Sequence, residues 1–189
     1  MKGYRNLFTM GIASKTLENS FLLMNRQTWT NEKQFLSGMD GMDESNEPSC
    51  ALCGERENTM HLMFECEQYS EPLWKLLENI INETKARTSE NEGTINRIQM
   101  HAFLVLYNVW AGAPDPCARA IMTLIQEVKR NIIFRRYKRE TTNIIVRCSR
   151  TRMLGHLLAA TKKLDSLWTY QGKNSVFFRE IIKTITDKI

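Results

Sequence analysis

Apolar residues recur along this chain at helical spacing in one segment after another. Between residues 13 and 37, Leu17, Phe21, Leu22 and Met24 mark the face of a short helix that Arg26-Gln27 ends. Asn31 with Gln34 predicts the capping pair of a second. Leu73, Leu76, Leu77, Ile80 and Ile81 form an i, i+3, i+4, i+7, i+8 stripe beside Trp74, on a helix that Ser70 caps and Pro72 begins. Ile95, Ile98, Ala102, Val105, Leu106, Val109 and Trp110 predict a long helix, broken by Gly112-Ala113-Pro114-Asp115-Pro116. Ala118, Ile121, Met122, Ile125, Val128, Ile132 and Ile133 carry another, which dissolves into Phe134-Arg135-Arg136-Tyr137-Lys138-Arg139. Two more helices are expected near 150–169 and 174–187, separated by Gly172. Only Ile144-Ile145-Val146 hints at a strand, and no internal repeat exists. The pattern predicts an all-α chain: short helices around a loop at 50–66, then a helical bundle.

The polar intervals suggest how these helices are grouped. Gly38 to Pro48 is an acid-rich loop, and the polar stretch from about Asn82 to Gly93 predicts a boundary. This divides the chain into a subdomain over 1–83, a linker over 84–93 and a helical subdomain over 94–189. At 189 residues and 42% hydrophobic content the chain can bury a real core. It has no run of eighteen apolar residues and no signal-peptide pattern, so the expectation is a soluble intracellular protein, nuclear or cytoplasmic, with no membrane partner. Thiols are kept reduced there, which favours metal ligation over disulfides for its five cysteines.

Three of those cysteines belong to Cys50-x2-Cys53-x7-His61-x4-Cys66, three thiols and one imidazole within seventeen residues. This is a full tetrahedral ligand set for one structural Zn²⁺, with no position left for a substrate water. Gly54 follows the second thiol, where a chain turning round a metal needs positive φ. The alternative is a set of ordinary buried thiols, or a disulfide. A redox CxxC is disfavoured because no strand–helix context surrounds Cys50 and Cys53. Cys117 and Cys148 read as simple buried thiols.

With Thr59, Leu62, Trp74 and Leu77 the motif resembles the zinc-binding domain C-terminal to the polymerase in non-LTR (LINE-type) retrotransposon reverse transcriptases. The likeness covers about residues 15 to 80, with Asn58 replacing the more usual acid. It implies that Cys50, Cys53, His61 and Cys66 are the zinc ligands, and that the partners are template RNA or target DNA and the rest of a reverse transcriptase polypeptide. The parent polypeptide would be an RNA-directed DNA polymerase. No Tyr-x-Asp-Asp tetrapeptide is present, so the expectation is a C-terminal piece, a decayed copy or a host-retained fragment, and not a polymerase.

Other catalytic readings fail on spacing. Pro114-Asp115 with Glu127-Val128-Lys129 matches a restriction-like nuclease string. However, a helix rising 1.5 Å per residue sets Asp115 roughly 18 Å from Glu127, too far to share one metal. His101 and His156 each lie alone in a helical pattern. The chain is therefore expected to be non-catalytic, without a small-molecule substrate.

Charge points to binding instead. Asp40 to Glu92 holds thirteen acidic residues against four basic, a local charge of −9, whereas Lys129 to Arg152 holds nine basic against one acidic, +8. Candidate phosphate contacts are Lys129, Arg130, Arg135, Arg136, Lys138, Arg139, Arg147, Arg150 and Arg152, with Tyr137 available to stack on a base. Such binding would be backbone-led and salt-sensitive. Two other uses compete. The segment could serve a protein-interaction or scaffold module, or Arg135–Arg139 could dock on the acidic zinc segment of the same chain.

Overall fold

The computed structural model describes residues 16, 18, 22, 30–38, 48–88, 97–107, 117–142 and 149–189, with side chains described for all of these except 103, 107 and 137–142. Among them the fold is all-α. Helices α1 (Asn31–Leu36), α2 (Ser70–Thr88), α3 (Ala102–Tyr107), α4 (Ala118–Thr142), α5 (Arg150–Tyr170) and α6 (Val176–Thr186) are joined by a single π-helical turn at His61–Glu65. Thr16, Glu18 and Leu22 are also helical. Strand-like pairing among the described residues is limited to one antiparallel bridge, Ser49 with Arg56. Among the described residues no helix is long and apolar enough to cross a membrane.

The predicted stripe of α2 is buried throughout: Leu73, Trp74, Leu76, Leu77, Ile80 and Ile81 all face the core. Yet the helix runs past Asn82 to Thr88, through the first part of the expected linker. Its polar residues there have specific partners. Thr84 Oγ1 donates to Thr184 Oγ1 of α6 at 3.0 Å, and Arg87 pairs with Glu83 and with Asp187. Asn82 clasps the backbone of Ile98 from both sides, donating to its carbonyl at 2.9 Å and accepting from its N–H at 2.8 Å.

That clasp corrects the expected 95–110 helix. Residues 97–101 are non-helical, with Ile98 and Met100 buried and Arg97 and Gln99 exposed, the alternation of an extended segment. The Met100 N–H donates to Glu78 Oε2 at 2.6 Å, so α2 side chains supply the partners a helix would otherwise provide. Helix begins at Ala102, where His101 Nδ1 accepts from the Leu104 N–H at 3.1 Å. Val109, Trp110 and Ile144–Val146 lie outside the described residues.

Helices α5 and α6 fall where the spacing predicts. Ser149 caps α5 by accepting from the Arg152 N–H. Its far end closes at Gly172 (φ 67°): Lys173 N–H reaches Trp168 O and Gly172 N–H reaches Thr169 O, the paired bonds of a Schellman ending. Trp168 and Phe178 then meet edge-on at 4.9 Å. α6 packs on α5 and α2, and α5 packs on α4. One apolar cluster extends from Cys50 to Ile185. The cap of α1 is Thr30 rather than Asn31, accepting from the Lys33 N–H at 3.2 Å.

Candidate metal centre

Residues 48–66 fold into two short pieces whose ends face each other. The first is a knuckle. Cys50 N–H donates to Glu55 O, Glu57 N–H to Pro48 O and Gly54 N–H to Cys50 O, and Gly54 turns the chain with φ 83°. A side chain at that φ would be strained. Backbone N–H groups of Leu52 and Cys53 point at the Cys50 sulfur, and that of Glu55 points at Cys53.

The second piece is the π-helical turn. Asn58 Oδ1 accepts from the His61 N–H at 2.8 Å and so caps it, while Cys66 N–H closes it onto His61 O at 2.9 Å, an i to i+5 bond. Widening the turn by one residue leaves carbonyls without the usual helical partners, and α2 supplies replacements. Trp74 Nε1 donates to Met63 O at 2.6 Å, and Ser70 Oγ accepts from the Cys66 N–H while donating to His61 O.

This places Cys50 Sγ and Cys53 Sγ each 3.9 Å from Cys66 Sγ, and Cys53 Sγ 3.2 Å from His61 Nε2. All four ligand atoms lie within 4.8 Å of one another, so the group could hold a metal ion. A disulfide needs sulfurs about 2 Å apart, and all three thiols are free. Thiolates 2.3 Å from a tetrahedral zinc stand about 3.8 Å apart, so the spacing fits such an ion without rearrangement. The protons already respond to the crowding. The Cys66 thiol beside Cys50 draws the Cys50 thiol down to about 4, against the effect of burial, and Cys66 is pushed up in turn. Cys53 is raised mainly by burial. Cys50, Cys66 and His61 are buried and Cys53 is half-buried, beside a polar cleft of about 600 Å³ lined by Glu55, Glu65 and Glu67.

The basic segment does not assemble as one exposed face. Lys129 is buried, and its ammonium is pushed down to about 7 by that burial. Arg136 is also buried: its Nε donates to Glu57 Oε1 at 2.5 Å and its Nη2 to Asn31 Oδ1 at 2.7 Å. Both stand in the candidate phosphate set, and both side chains are buried in the fold. Arg130 is half-buried against Glu127, and Arg135 is half-buried. Arg150 and Arg152 are exposed. Tyr137, Lys138 and Arg139 lie on α4 with side chains outside the described set, and Arg147 lies outside it altogether. The alternative of docking on the acidic zinc segment is what Arg136 does. Glu127, of the nuclease-like string, accepts from Thr16, Arg130 and Lys163, so its oxygens face internal donors. Asp115 lies outside the described residues.

Sequence reasoning missed Glu57 and Asn31, whose partner comes from α4, and Ser70 as a tie rather than a cap. Compared with protein-family models, curated proteins and solved structures, the chain gives no significant match.

Proposed function

We propose that this is a non-catalytic, zinc-stabilised helical module, akin to the C-terminal zinc domain of LINE-type reverse transcriptases, that supports binding of template RNA or target DNA. The observation that carries it is the convergence of Cys50, Cys53, His61 and Cys66 within 4.8 Å. Three thiolates and an imidazole favour Zn²⁺ over harder cations, and four protein ligands leave no open position for a reacting water. When bound, the ion would cross-link the knuckle to the π turn. Ser70, Trp74 and Asn58 would orient the ligands around it. Asn58 is consistent with the family likeness, since Asn and Asp cap a helical turn equally well.

Nucleic acid would be met by the exposed cations, Arg150 and Arg152 at the start of α5 and Lys162 about three turns further along it. Those contacts would be to phosphates, without base reading. A second reading, a protein-interaction or scaffold module, draws support from the burial of Lys129 and Arg136, which leaves fewer cations free for phosphates.

Elemental analysis should return one equivalent of zinc, absent from Cys53→Ser. Anisotropy titrations with an RNA hairpin and a DNA duplex should then show affinity falling tenfold or more between about 50 and 200 mM salt. They should also show loss of binding on Arg150→Glu with Arg152→Glu. Zinc without nucleic-acid binding would favour the interaction module, and a folded zinc-free wild type would remove both readings.

A further inference from the structure

Glu57 lies four residues after Cys53 and four before His61, at the end of the knuckle where the chain leaves for the π turn. Its backbone and one carboxylate oxygen are all engaged. Its N–H donates to Pro48 O, its carbonyl accepts from the Glu32 N–H, and Oε1 accepts from the Asn31 N–H and from Arg136 Nε. Asn31 completes the node, donating from Nδ2 to Ser49 O next to Cys50 and accepting from Arg136 Nη2. The carboxylate and guanidinium are 4% and 8% exposed and come from positions 79 residues apart.

A buried ion pair adds little net stability, since desolvation offsets the attraction and a packed apolar pair often does as well. What it does supply is direction, because a planar guanidinium fixes both acceptors it grips. Here those acceptors are Glu57, inside the ligand loop, and Asn31, which holds the knuckle at Ser49.

We infer that Arg136 is a positioning residue of the metal centre. From α4, which also packs against the π turn, it fixes where the knuckle sits relative to that turn, and so the affinity for the ion. Ion binding and the seating of α4 on the ligand loop are then one linked equilibrium, each favouring the other. The inference rests on the metal reading above and adds to it a residue far outside the motif.

The test is metal affinity, measured with Co²⁺ by its tetrahedral thiolate spectrum and with Zn²⁺ by chelator competition, beside unfolding of the metal-free protein. Arg136→Met and Glu57→Gln should each weaken affinity at least tenfold, and Arg136→Lys should recover part of it. The double replacement Glu57→Met with Arg136→Met should restore metal-free stability without restoring affinity, which a purely structural pair would not do. Glu127→Gln alters another buried ion cluster on the same helix and should leave affinity within about twofold. If Arg136→Met does not fold, Asn31→Ala, which leaves the ion pair in place, should still weaken binding. Affinity within threefold of wild type in the Asn31, Glu57 and Arg136 variants would overturn the inference. Absence of Co²⁺ uptake by the wild type would instead remove the metal reading beneath it.

Discussion

Asn58, Trp74 and His156 each hold a position where one atom decides the outcome. Asn58→Ala removes the acceptor that caps the ligand turn. It should cost about 1 kcal/mol in urea unfolding and weaken metal binding. Trp74→Phe removes the indole N–H that donates to the buried Met63 carbonyl, together with part of a fully buried ring. The expected cost is about 1 to 3 kcal/mol for the orphaned carbonyl, added to the cost of the cavity that the smaller ring leaves. His156 is held down at about 4, first by burial and then by the charges of Arg135 and Arg152. The unfolded chain takes up its proton near the ordinary 6.5 and the folded chain does not. Stability should therefore fall as pH drops from about 6.5 toward 4. His156→Gln, compared with wild type in metal-free protein, should flatten that part of the profile. The four ligands were legible because their chemistry is distinctive and their spacing short. Glu57 was not: it is one acid among many in an acidic run, and its partner is 79 positions away.

Among the elements, α4 departs furthest from its sequence reading. Its apolar positions are periodic, as expected, but from Thr123 to Lys129 every residue is buried, polar ones included. A helix packed on all sides violates the amphipathic assumption behind reading Lys129 as an exposed candidate for phosphate. Its depressed ammonium gives a test. The unfolded chain holds that proton up to about 10.5 whereas the folded chain releases it near 7. Stability should rise with pH across that window, and Lys129→Met should abolish the rise, read as the difference in urea midpoints at pH 7 and 9.5. The helices α2, α5 and α6 were legible because each buries a single stripe. The segment at 97–101 was not, because four residues of alternating burial look helical when read with the helix that follows. Only the side chains of Asn82 and Glu78 settle the contest.

For the molecule as a whole, the ligand set belongs to the core and is no appendage to it. Cys50 and Cys66 are part of the same apolar cluster as Leu77, Ile121 and Phe178. Chelation of the metal, or Cys53→Ser, should therefore lower the melting temperature of the entire cooperative transition and not release a local loop. The shift should scale with the logarithm of free metal above its dissociation constant. Separate transitions for the ligand loop and the helices, seen by calorimetry, would contradict this. The Arg136–Glu57 bond also has a consequence in time. The loops that gather the four ligands are short, whereas joining Glu57 to Arg136 closes a loop about ten times longer, at roughly 2 kcal/mol more in chain entropy. A chain emerging from the ribosome presents all four ligands well before α4 exists. Metal capture should come first and locking second. In refolding with Zn²⁺, Cys53 should become protected from alkylation before the amides of α4 resist exchange.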